Sequence, residues 1–267
     1  MSRVKTLALA MTVLFALAGC AQLFEFNLFG RIDTTPATPT AADYAGSDGL
    51  DKLDDDLDSP AIVEVLAGDP TLVQQIEDDL WNTYIGDPGG IENEEDQQAA
   101  IVYADLALKT TEGEELVNNI VGALIDGIDT GQTLTEFFTS IMPPEALASP
   151  VAFAAMIQGF IDANNAYVAL GGSIDPDDDG VAEGTLPPGA LPGDIAQKAI
   201  IACAVAGVVG AVDGVTATDP ALALYTLLTD PDNAEPAVAA LDVGDGFTGP
   251  PTQIEALVGL AAGNFIP

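Results

Sequence analysis

The sequence predicts an all-α fold: an array or irregular bundle of about ten short antiparallel helices, each of roughly 8–20 residues. Three observations carry this expectation. Ser59-Pro60, Asp69-Pro70, Ser149-Pro150 and Asp219-Pro220 read as helix starts. In each pair the side-chain oxygen can accept free backbone N–H groups, and proline loses nothing at the first helical position. Apolar residues then recur at helical spacing, and alternating patterns bounded by hairpin turns are scarce. A core is affordable, because 48% of the 267 residues are apolar, although 42 Asp and Glu against 6 Lys and Arg give a net charge of −36.

Composition also removes whole classes of function. The chain has no histidine, and so lacks the usual general base near neutral pH and the commonest zinc ligand. So few cations leave no basis for binding nucleic acid or anionic lipid, since both depend on Lys and Arg.

The N-terminus reads as an export signal. Arg3 and Lys5 form a short basic region, residues 6–16 are an apolar run, and small residues lead to Leu17-Ala18-Gly19-Cys20. The run is too short to span a bilayer. Leu-Ala-Gly-Cys resembles the lipobox of bacterial lipoproteins. That resemblance implies cleavage of residues 1–19 and acylation of Cys20, which would hold the chain to a membrane without a spanning helix. Ala21 and Gln22 lack the aspartate that retains some members of the family at the inner membrane, so the resemblance implies the outer membrane. Cleavage would remove two cations and no acid, making the mature chain more acidic still. With Cys20 committed to lipid, Cys203 has no partner for an internal disulfide and reads as a small buried hydrophobe.

Residues 20–41 form the expected tether. Leu23, Phe24, Phe26, Leu28 and Phe29 follow the anchor, and residues 34–40, TTPATPT, favour an extended linker. A single helical domain is expected over 42–267. Its stripes run in order: Leu50, Leu53 and Leu57 beside the acidic Asp54-Asp55-Asp56; Leu72, Val73, Ile76 and Leu80; Ala100, Tyr103, Ala104, Ala107 and Leu108. Next come Val117, Ile120, Val121 and Leu124, then Phe153, Met156, Ile157, Phe160 and Ile161, and finally Ile254, Leu257, Val258 and Ala261. Residues 199–212, small and apolar between Lys198 and Asp213, are expected to be a central helix buried on all sides rather than a membrane span. Residues 162–177, DANNAYVALGGSIDPD, resemble the second half of a tetratricopeptide repeat, and residues 228–241 are similar. No regular 34-residue period runs through the chain, so divergent helical hairpins and an irregular bundle both stand as expectations.

The sharpest local motif is Asp175-Pro176-Asp177-Asp178-Asp179-Gly180. Asp175, Asp177 and Asp179 match the first, third and fifth positions of a calcium loop. Val181 could offer its carbonyl, and Glu183 holds the ninth position. Leu186 stands where a bidentate glutamate belongs, so the loop is incomplete and needs a carboxylate from elsewhere. The competing reading is a solvated Asp-Pro turn. Calcium is thus the one cofactor expectation.

Two asparagine pairs, Asn118-Asn119 and Asn164-Asn165, interrupt apolar helices and could line a ligand groove, or bond between helices. No catalytic constellation is legible: there is no Ser-His or Cys-His pair, and no Ser-x-x-Lys motif beyond the export signal, where Ser2 and Lys5 have that spacing. Glu92, Glu94 and Glu95, like Glu112, Glu114 and Glu115, sit at expected helix starts, where acids complement the helix dipole. Carboxylate-based glycoside chemistry would need two acids facing each other in a deep cleft. The acidic excess fits either a saline habitat or a surface that takes up a cation or basic partner. The expectation is therefore a non-catalytic, lipid-anchored envelope module that binds a protein or small ligand.

Overall fold

The computed structural model describes residues 38–86, 90–126, 134–239 and 250–263. Cys20, the signal and most of the tether lie outside them. The described residues contain helices and no strand, an irregular all-α array. A 3₁₀ turn, Ala41–Tyr44, leads into α1 (Gly46–Leu57), α2 (Pro60–Ala67) and α3 (Pro70–Leu80). A π-helical turn, Trp81–Ile85, follows, then α4 (Glu94–Lys109), α5 (Gly113–Asp126), α6 (Leu134–Ile141) and α7 (Pro144–Leu147). The remainder is α8 (Pro150–Ile174), α9 (Pro192–Asp213), α10 (Pro220–Thr229), a 3₁₀ turn at Pro231–Asn233, α11 (Pro236–Ala239) and α12 (Thr252–Gly263).

All four proline pairs start helices. Asp69 Oδ1 accepts the Leu72 N–H at 3.1 Å, Ser149 Oγ that of Ala152 at 3.1 Å, and Asp219 Oδ1 that of Leu222 at 3.0 Å. Ser59 differs: its backbone carbonyl, not its hydroxyl, takes the N–H groups of Ile62 and Val63. The helix α4 starts without proline, through a box in which Asn93 Oδ1 accepts from Glu95 and Asp96 and Asp96 accepts from the Asn93 N–H.

The centre of the molecule is α8, which packs against α4, α9, α12, α10 and α7. Its Phe153, Met156, Phe160, Tyr167 and Leu170 are buried. Two glycines permit the crossings. A Cβ on Gly159 would lie 2.6 Å from the Ala107 carbonyl of α4, and one on Gly171 would overlap the Gln253 backbone of α12.

This corrects the expectation for residues 199–212. They belong to the 22-residue α9, whose first half is buried through Ile195, Ala199, Ile201, Ala202 and Cys203, while positions 204–209 are only half-covered. Small side chains offer little area to bury, so the aromatic-rich α8 takes the centre. By length and composition alone α9 could cross a bilayer, yet half its most apolar window is buried inside the protein. Cys203 is a free, buried thiol, its pKa raised by burial.

The helices α8 and α9, of 25 and 22 residues, exceed the expected lengths. Asp175-Pro176 does not open a new helix as in a tetratricopeptide unit: residues 175–191 form a loop before α9.

Candidate functional site

Three groups of polar side chains stand out. The first is the acidic loop after α8. Asp175, which caps α8 at its C-terminus, is buried; its Oδ1 accepts the Asp179 N–H at 3.2 Å and its Oδ2 that of Gly180 at 2.9 Å. Asp179 Oδ1 accepts the Val181 N–H at 2.9 Å. Carboxylate oxygens of Asp175, Asp177 and Asp179 lie within 4.8 Å of one another. The like charge of Asp179 raises the Asp177 pKa above its ordinary value. Asp178 points away to α12, where Thr252 Oγ1 and Gln253 Nε2 donate to its Oδ1. That contact brings Glu255 over the loop, its Oε2 3.1 Å from where a Cβ on Gly180 would stand. Glu183 is exposed, its N–H bonded to the Ile174 carbonyl at 2.8 Å, and the Val181 side chain is exposed.

The second group is an ion cluster inside the array. Lys198 of α9, with its side chain 9% exposed, donates to Asp105 of α4 at 2.8 Å and pairs with Asp194 one turn earlier at 2.9 Å. Burial opposes the Lys198 charge, but the two carboxylates and the Tyr167 phenol hold its pKa well above the ordinary range. Tyr167 is completely buried and its hydroxyl has no hydrogen-bond partner. The sequence carried a signal for this cluster: Asp194 and Lys198 are four residues apart, and Asp105 interrupts an apolar stripe.

The third group lies where α3, α4 and α8 meet. Glu77 of α3 is half-buried, and its pKa is pushed up to about 7 by burial and by the charges of Asp162 and Asp78. Burial raises Asp162 of α8 as well, against a 3.0 Å hydrogen bond from Gln158. Tyr103 lies beside them, and its ring meets that of Trp81 at 5.5 Å between centroids.

An open cleft of about 430 Å³ runs between α2 and the junction of α4 with α5. Val63, Glu64 and Ala67 form one wall; Lys109, Glu112 and Glu114 form the other. Lys109 donates to the Leu57 carbonyl at 3.1 Å and lies 3.5 Å from Asp58.

The asparagine pairs are not among the residues lining this cleft. Asn119 Nδ2 donates to the Ile141 carbonyl at 2.9 Å, joining α5 to α6, and Asn118 and Asn165 are exposed. Asn164 has a buried Oδ1 without a partner. Glu94 and Glu95 occupy the first turn of α4, and Glu114 and Glu115 that of α5. Comparison with protein-family models, with curated proteins and with solved structures finds no match, so chemistry alone guides the functional reading.

Proposed function

We propose that the chain is a non-catalytic helical binding module, exported and held at a bacterial outer membrane by lipid on Cys20. The sequence Leu17-Ala18-Gly19-Cys20 behind a short basic and apolar run carries this reading. A sequence without histidine and without a Ser-His or Cys-His pair is what supports the non-catalytic part. Its partner would be an envelope protein or a small ligand. Mass spectrometry of the N-terminal peptide from detergent-extracted chain tests the anchor. Cys20 at the N-terminus with acyl mass is expected, and Cys20→Ser should retain residues 1–19. An unmodified Cys20 in the wild type would overturn the anchor. A pull-down from envelope extract at native salt that recovers no specific partner would count against capture of a protein.

A second reading, a calcium-stabilised module, is supported by the approach of the Asp175, Asp177 and Asp179 oxygens and by Glu255 leaning over Gly180. Glu255 stands beside the loop but outside the group of converging oxygens, and extracellular modules function at roughly 10⁻⁴–10⁻³ M calcium.

A further inference from the structure

Tyr167 is fully buried on α8, and its hydroxyl has no hydrogen-bond partner among the protein groups around it. A buried phenol in that state has given up its bond to bulk water and gained nothing in return, and phenylalanine would fill the same space without that cost. The hydroxyl nevertheless lies beside charge. Asp105 of α4 and Lys198 and Asp194 of α9 all act on the phenol, and the phenol acts in turn on Lys198. No direct bond joins it to any of them. Polar groups that attract one another but stand beyond direct reach are where a bridging water belongs.

The chemistry of the cluster selects that ligand. Lys198 Nζ donates to Asp105 Oδ1 at 2.8 Å and pairs with Asp194 Oδ2 at 2.9 Å. An ammonium has three donors, so one N–H remains, and each carboxylate can accept further bonds. The Lys198 charge repels a metal cation, and the two aspartates repel an anion. A neutral molecule that both accepts and donates satisfies every group, and full burial of the phenol favours the smallest one. Side-chain exposure rises from Tyr167 at 0% through Lys198 at 9% and Asp105 at 18% to Asp194 at 35%. The cluster therefore runs from the interior to the surface, which gives a water a way to exchange.

We propose that one ordered water sits where α4, α8 and α9 meet, accepting the Tyr167 O–H and the third Lys198 N–H and donating to the Asp105 carboxylate. Internal waters typically make about three such bonds. The water ties the central helix to the ion pair that joins α4 to α9. The inference is independent of the lipid anchor and of the binding-module reading.

Magnetic relaxation dispersion of the water signal counts long-lived internal waters. The measurement is made on the full chain and its variants in one non-ionic detergent, beside urea unfolding. Tyr167→Phe keeps the ring and is expected to lose one long-lived water. Its folded-to-unfolded ratio should fall about five-fold, as loss of one ordinary hydrogen bond implies. Tyr44→Phe is the control, because the Tyr44 hydroxyl donates directly to Asp56 Oδ2 at 2.9 Å. That variant should lose stability with an unchanged water count. An unchanged count in Tyr167→Phe would overturn the proposal. So would equal or higher stability of that variant, the behaviour of a phenol without any partner, or the same loss of a water in Tyr44→Phe, which would trace it to general loosening.

Discussion

Replacing Glu77 by glutamine should stabilise the protein above neutrality and leave it unchanged in acid. The carboxyl is half-buried among Asp78, Asp162 and Tyr103, and its pKa rises from 4.5 to about 7. Below 4.5 it is protonated in both folded and unfolded chains and costs nothing. Between 4.5 and 7 the unfolded chain loses the proton first, so stability falls as pH rises, and the loss is complete above 7. That interval corresponds to about 3 kcal/mol, which solvent screening of a half-buried group reduces to about 2 kcal/mol. Glutamine keeps the shape and carries no charge. At pH 8 the variant should therefore unfold about 2 kcal/mol later, or about 4–8 °C higher. Trp81, the chain's only tryptophan, lies against Tyr103 and reports urea unfolding there. The other acids titrate in both proteins, so the difference between the curves isolates Glu77. Parallel curves from pH 4 to 8, or a variant less stable at pH 8, would refute the reasoning.

Lys198→Met should destabilise the domain by about 3 kcal/mol in urea, because Asp105 and Asp194 lose their shared cation beside the buried Tyr167; a cost below about 0.5 kcal/mol would show that water already screens them. Gly171→Ala forces α12 away from α8, and limited proteolysis should cut the C-terminal helix sooner than in wild type. If the Asp175 loop holds calcium, calorimetry should show one saturable site that Asp177→Asn loses, and the affinity should fall in acid as Asp177 takes up its proton; unsaturated heat unchanged by the variant would leave a solvated turn. Added NaCl should raise the unfolding temperature by screening a net charge of −36, and a fall would mean that attractive pairs dominate.

Local rules made the helices legible. Leu72, Val73, Ile76 and Leu80 are all buried, as their spacing predicts, as are Ile254, Leu257 and Ala261. The proline pairs mark four true starts because the cap and the missing N–H act within one turn. Which helix takes the centre was not legible. Residues 199–212 have the more uniformly apolar composition, but central position follows buried area and fit, and α8 supplies Phe153, Phe160 and Tyr167 together with glycines at two crossings. The acidic loop could be read because its residues are contiguous. The approach of Glu255 could not, since it depends on α12 docking through Thr252 and Gln253. The cleft is also non-local: Glu64, Lys109 and Glu112 come from two separate segments, and at sequence level Glu112 is one more acid beside a helix start.

The placement of the cations says how so acidic a chain stays folded. Among the described residues there are three lysines, and each pairs with a carboxylate. Lys52 pairs with Asp56 and sits 4.3 Å above the Tyr44 ring, tying α1 to the turn before it. Lys109 binds the carbonyl that ends α1, and Lys198 joins α4 to α9. An exposed ion pair contributes little, so cations scattered over the surface would do little to hold an array of this charge together. Lys109 and Lys198 instead join segments far apart in the chain, so each offsets acids that the fold brings close.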